Sequence, residues 1–407
     1  MTQRNFVLLC WHLVTERDII RFGGEAFQKR GYKGRYVSCW RALYEPENVI
    51  SEEGDFRNHP DAIVPESRAE LESFLDTLAP DDFILMLVPL MPETAWIFQA
   101  LDARNLPYVS AWLAKTPANF PIRWDSLKDV GQSVRTCVRA AIKALRLTRE
   151  RLRVYRAVGP RYLALRGPKF FLRAGTYSLP FFPFVPKLHR AETIDVGSLE
   201  LFWVTRSLAN GFLTPNNPYA VFLDEAMGHH PDWSIEGGRP QAMEAINADI
   251  RRTLDRIERD TGLPVVIALH PKSAYTPEAF REAYMDRQSI KHNTATLIRN
   301  ADLVIGHAST SLTMAVICNK PIIFLTNQHI RKSRDGLYVD FFANWLGNGA
   351  TEMEAYRDGG GKPFQVPLVD RKKYERYMRL FVAAEGACTE SVWDHVIDRF
   401  EAQTGQP

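Results

Sequence analysis

Cysteine is scarce in this chain of 407 residues. Five are present, Cys10, Cys39, Cys137, Cys318 and Cys388, and no two form a Cys-x-x-Cys pair. An odd, scattered set offers neither a disulfide framework nor a zinc site, and it suits a reducing cytoplasm. Long hydrophobic runs are missing as well. No stretch approaches the roughly 18–20 apolar residues a bilayer span needs. The apolar run from Phe6 to Trp11 is too brief for a secretory signal and has no small-residue cleavage site after it. Internal repeats and low-complexity tracts are absent. So is a strong excess of charge: 51 Lys and Arg stand against 48 Asp and Glu, a net charge of +3. No basic stripe dominates, which argues against a nucleic-acid partner and leaves an anionic small substrate open. What remains is ordinary globular composition, 45% hydrophobic and 24% charged, at a length that favours two or three domains over one.

Short apolar runs alternate with longer amphipathic ones. Strands are expected over 6–10, 35–39, 83–88 and 108–110, with helices over 16–30, 67–78, 93–104 and 127–147 between and after them. Continuous apolar strands alternating with helices mean a parallel sheet covered on both faces. Residues 150–215 are harder to read, because Arg and Pro are frequent and the stretch from Pro180 to Pro186 is rigid and non-helical. A second alternation begins after them: strands over 219–223, 264–269, 303–305 and 321–325, helices over 241–261 and 311–318, then terminal helices over 372–384 and 391–403. The pattern predicts an α/β protein of the GT-B outline, two Rossmann-like domains facing a central cleft and closed by C-terminal helices. The expected divisions are an acceptor-binding domain over 1–205, a donor-binding domain over 206–370, and helices over 371–407 packing back across both.

Ligands of open parallel sheets bind beyond the carboxyl ends of the strands. There the sequence places Leu269-His270-Pro271-Lys272, whose His and Lys can donate to a phosphate. His-Pro is a common dipeptide that also occurs at His59 and His230, so the motif gains weight only from its partner one strand later. That partner is Gly306-His307-Ala308-Ser309-Thr310-Ser311, a hydroxyl cluster at a helix start, which reads as a second anion site or as a plain serine cap. No Asp-x-Asp occurs anywhere, so the usual carboxylate pair for a divalent cation is missing. Asp224 and Glu225 at a strand end are acid/base candidates. Arg206, Tyr275 and His307 are candidates for the donor-side cleft. His12 and Glu16, just after the first strand, are candidates for the acceptor side. Gly23-Gly24, near that strand, does not fit a Gly-x-Gly-x-x-Gly dinucleotide fingerprint.

His270-Pro271 with Ala308-Ser309-Thr310-Ser311 resembles the paired His-Pro and Ser/Thr motifs of bacterial CMP-sugar transferases. The segment from Tyr219 to Glu225, running on to His229-His230-Pro231-Asp232, is similar to the retaining β-Kdo transferases of lipopolysaccharide O-antigen synthesis (Kdo is 3-deoxy-manno-octulosonic acid). The likeness extends over most of the chain, with its specific motifs confined to about residues 219–325. It implies CMP-Kdo as donor, a glycan acceptor, a GT-B fold and net retention by double displacement. Asp232 matches the family nucleophile, and His229 and His230 flank it. His270, Lys272, Ser309, Thr310 and Ser311 would contact the CMP phosphate. No metal and no resident cofactor is implied. The acceptor is expected to be lipid-linked, the location the cytoplasm at the inner face of the inner membrane, with peripheral membrane association and further domains of a larger protein both allowed. Three other readings stay open: another CMP-sugar transferase such as an inverting sialyltransferase, a CDP-glycerol glycerophosphotransferase, and a non-catalytic glycan-binding module.

Overall fold

A computed structural model describes residues 3–43, 59–114, 164–177, 185–208, 217–227, 242–271, 273, 275–333, 336–347 and 349–404, with isolated positions between 117 and 159. The chain divides into two compact units. The first comprises residues 1–113, 140–199 and 383–407, and the second residues 114–139 and 200–382.

The first unit is built on seven strands: β1 (Asn5–Cys10), β2 (Lys33–Ser38), β3 (Ala62–Ile63), β4 (Phe83–Met86), β5 (Val109–Trp112), β6 (Phe170–Ala174) and β7 (Glu192–Val196). All pair in parallel, in the order β3-β2-β1-β4-β5-β6-β7. Successive side chains of a strand point to opposite faces, so the apolar run of β1 serves two cores at once. Phe6, Leu8 and Cys10 join Phe27, Phe83 and Phe170 on one face. Val7 and Leu9 join Ile84, Met86 and Phe98 on the other. The chain's last described helix, Val392–Thr404, lies on the first of these faces, where Phe400 packs on Phe83 and Phe170. Burying one such ring stabilises the unit by about 1.5–3 kcal/mol.

The second unit has six parallel strands: β8 (Ala220–Leu223), β9 (Val265–Leu269), β10 (Ser289–Lys291), β11 (Leu303–Gly306), β12 (Ile322–Thr326) and β13 (Ala350–Glu352). Their order is β10-β9-β8-β11-β12-β13. The chain steps outward from β8 to β10, then returns to the other side of β8. The direction of winding therefore switches between β8 and β11, and likewise between β1 and β4 in the first unit. Such a switch opens a crevice at the carboxyl edge of the sheet, where ligands bind.

One expectation needs correction. The helix read over 16–30 is two helices, Glu16–Arg21 and Gly24–Lys29, broken at Gly23. The stretch 150–215, hard to read from its residues, supplies β6, β7 and the Leu199–Ser207 helix. The helix expected over 127–147 falls almost wholly outside the described residues. No helix among the described residues is long and apolar enough to cross a membrane.

Candidate functional site

At the carboxyl edge of the second sheet, three loops meet on either side of the β8/β11 switch. β8 runs Ala220-Val221-Phe222-Leu223, all buried, and ends on Asp224 and Glu225. Asp224 is 4% exposed. Its Oδ1 accepts from the Ala226 N–H (2.8 Å), the Tyr275 hydroxyl (3.0 Å) and the Tyr284 hydroxyl (2.7 Å), and its Oδ2 accepts from the His270 N–H (3.3 Å). Burial and the Asp224 charge push both tyrosines up from their ordinary values, so both phenols remain protonated donors. Glu225, half-buried, accepts the Ala308 N–H at 2.6 Å and so spans the switch from β8 to β11.

β9 ends on His270. The His270 carbonyl accepts from the backbone N–H and the hydroxyl of Ser273, and Lys291 Nζ donates to the Ser273 carbonyl, which closes a tight turn. Thr276 then caps the Pro277–Tyr284 helix, with Pro277 in its first turn. Tyr275 lies between the turn and this helix. Its hydroxyl is on Asp224 and its ring meets Phe280 and Tyr284 edge-on.

Beyond β11 comes His307, 1% exposed, with Nδ1 2.7 Å from the Leu325 carbonyl and its ring edge-on to Phe222. A carbonyl only accepts, so Nδ1 carries the proton. Burial pushes His307 down to about 4, outweighing the opposite pull of that carbonyl. The imidazole is therefore neutral at pH 7, and its Nε2 is buried without a partner among the described residues. Of the hydroxyl cluster, Ser309 Oγ accepts the Ser311 N–H, while Ser311 makes no side-chain cap on the Leu312–Ile317 helix. Thr310 is exposed. Along the next strand, Asn327 is buried and bonds Asp249, whose carboxylate also takes Arg252 and Arg357. That cluster is fully engaged in holding the β12 exit.

The structure thus brings His270, Tyr275, His307, Ser309, Thr310 and Ser311 to one sheet edge. Arg206 is half-buried on the Leu199–Ser207 helix, ahead of β8 in the chain. Lys272, His229, His230 and Asp232 lie outside the described residues. Among the described residues no group of three or more metal-ligating side chains is gathered.

His12 and Glu16 follow β1 in the first unit, at the carboxyl edge of its own sheet. His12 Nε2 lies 3.4 Å from Asp18 Oδ2, and Arg21 pairs with the other Asp18 oxygen at 2.5 Å. Asp18 also completes a capping box with Thr15. Burial by itself pushes the Asp18 carboxyl up, but the His12 hydrogen bond and the Arg21 charge outweigh it and hold the group well below the usual carboxylate range. Glu16 is exposed in the first turn of the helix. Sequence reasoning missed Asp18, Arg21 and Tyr284. The Thr15-x-x-Asp18 spacing was the one available signal, and it points to a cap rather than to a histidine partner.

Two tandem all-parallel sheets, each with its winding reversed beside its first strand, make this an α/β protein of the GT-B fold. No family model matches the chain, and no curated protein matches its sequence. Solved structures of similar fold include a histidine-to-asparagine variant of the wall teichoic acid polymerase TagF. It is 11% identical, with 98% of this chain and 90% of that one covered and a TM-score of 0.51. The same polymerase soaked with CDPG is 12% identical, with coverage of 99% and 90% and a TM-score of 0.50.

Proposed function

We propose that the protein is a glycosyltransferase that moves Kdo from CMP-Kdo to a bacterial surface glycan with net retention. The observation that supports it is the convergence of His270 and the His307–Ser311 turn at the β8/β11 switch of the second unit, where a nucleotide phosphate would be held. In this reading the His270 imidazole and the Ser309, Thr310 and Ser311 hydroxyls, with Lys272, donate to the CMP phosphate. The Asp232 carboxylate attacks the anomeric carbon of Kdo, the bond from that carbon to the phosphate oxygen breaks, and CMP leaves with the electron pair. An acceptor hydroxyl then gives up its proton and attacks the same carbon, breaking the ester to Asp232. Two inversions leave the anomeric configuration unchanged. His229 or His230 would assist at Asp232. The acceptor side is assigned to His12 and Glu16 of the first unit. In this reading His12, whose Nε2 lies 3.4 Å from Asp18 Oδ2, would meet the acceptor. A lipid-linked acceptor would keep the enzyme at the inner face of the membrane.

Intact-mass measurement after incubation with CMP-Kdo alone tests this reading. The expected result is a protein heavier by one Kdo residue, with CMP released, and no adduct in Asp232→Ala. CMP-Kdo left intact, or turnover to an inverted product without any adduct, would sink it. A second reading, glycerophosphate transfer from a CDP-activated donor, is favoured by one observation: the similar folds are those of a teichoic acid polymerase. It predicts turnover of CDP-glycerol and no sugar on Asp232.

A further inference from the structure

Asp224 is buried, negatively charged and, among the described ion pairs, matched by no cation. Four hydrogen-bond donors surround it instead: two backbone N–H groups and two phenols. A buried carboxylate is costly to desolvate, and a neutral acceptor would cost less. The three on Oδ1 come from Ala226, Tyr275 and Tyr284. Only the fourth, the His270 N–H on Oδ2, demands an acceptor on both sides of the group. The residue two places on, Ala226, sits at φ +48°, a left-handed conformation that is strained in a residue with a Cβ. The β8 exit is thus held in a strained turn that aims the carboxylate at the end of β9.

We infer that Asp224 is a positioning residue for the donor site: it ties the start of the His270 turn to the end of β8 and so fixes where the His270 imidazole is presented. The inference rests on the proposed role of His270 at the nucleotide phosphate. Asp224 reaches only the backbone of His270, and Tyr275 and Tyr284 fill the sides of its carboxylate. Tyr284 is itself clamped between Phe222 and Phe280, so the second phenol cannot swing to replace the missing acceptor if Oδ2 is altered. The alternative is a carboxylate that merely satisfies two buried phenols, with no consequence for His270.

A double-mutant cycle separates the two. Asp224→Asn keeps an oxygen for the three Oδ1 donors and sets an amide N–H against the His270 N–H, two donors facing each other. CMP affinity, measured by calorimetry, should fall about tenfold in Asp224→Asn. The same change made in a His270→Ala background should alter affinity by less than about twofold, because a residue acting through another is not additive with it. An equal loss in both backgrounds, or no loss in either, overturns the inference. If wild type binds no CMP, it is the functional reading that has failed, and the positioning claim is then read from the His270 ring proton resonance, assigned by its loss in His270→Ala. A shift of that resonance in Asp224→Asn sustains the claim and an unmoved one defeats it. Should Asp224→Asn not fold, Asp224→Glu, which keeps the charge but displaces both oxygens, enters the same cycle with the same outcomes.

Discussion

His307 shows how much one buried ring can commit. Its Nδ1 proton is spent on the Leu325 carbonyl, so it bridges β11 and β12 and cannot donate that proton to an anion. The ring titrates near 4 in the folded protein and near 6.5 when unfolded. Between those values the unfolded chain binds the extra proton and the folded one does not. Stability is therefore fully present above about pH 6.5 and is lost as pH falls through that window. The difference corresponds to about 3 kcal/mol at pH 4. Urea unfolding of wild type and His307→Gln at pH 8 and at pH 4 checks this. Wild type should lose about 3 kcal/mol more than the variant over that range, and parallel losses would refute it. The sequence placed His307 beside the hydroxyl cluster correctly, but nothing in it says that the ring is neutral and facing a carbonyl. That depends on Leu325, a strand away.

At the scale of the element, the break at Gly23 has a similar origin. Residues 16–30 read as one amphipathic helix because their apolar spacing is continuous, and Gly alone does not stop a helix. In the fold Gly23 adopts φ +83°, and a Cβ there would overlap the Trp393 ring, whose Nε1 donates to the Arg21 carbonyl. The turn exists because a side chain 370 positions later occupies its space, which no local pattern contains. Gly23→Ala should cost about 2–5 kcal/mol, the sum of a left-handed residue with a Cβ and an overpacked ring. Thermal unfolding should show it, and Gly23→Ala combined with Trp393→Phe should recover part of the loss. If Gly23→Ala unfolds within a degree of wild type, the close approach is not what shapes this turn. Eight of the thirteen strands, β1, β2, β4, β5, β8, β9, β11 and β12, were legible for the opposite reason. Buried parallel strands are continuous apolar runs, and β1, β8, β9 and β12 each announce themselves within five or six residues. β6 and β7 were not read because arginines and prolines surround them, although Phe170-Phe171-Leu172 is itself such a run. The residues at the carboxyl edge of the second sheet followed from the strands, since those just past each apolar run are fixed by chain order alone.

For the whole molecule, the near-neutral total conceals an uneven distribution. Residues 135–166 contain ten Arg and Lys and one Glu, a net +9 against +3 for the entire chain, which leaves −6 elsewhere. The absence of a dominant basic stripe, read from the total, is therefore corrected by the segment. Its described helical residues Leu145, Arg149, Leu152, Arg153, Tyr155 and Arg156 are all exposed, with Leu145 at 70%, Leu152 at 50% and Tyr155 at 47%. Leu145 and Leu152 stand seven apart, on one helical stripe with Arg149 and Arg156. Cations beside exposed leucines suit a lipid surface better than a nucleic acid, since leucine gains nothing from phosphates while each nearby cation gains about 1 kcal/mol at an anionic membrane. The lipid-linked acceptor of the proposed function would place the protein there. In sedimentation with vesicles, the protein should pellet with phosphatidylglycerol-containing membranes at low salt, should stay in solution with phosphatidylcholine alone, and should be released as salt shortens the screening length to a few ångströms. Arg149→Glu with Arg153→Glu should abolish binding, and Leu145→Ser with Leu152→Ser should weaken it at every salt concentration. Binding that ignores the leucines, or that an oligonucleotide displaces stoichiometrically, would assign the positive segment to a polyanion in solution rather than to a membrane.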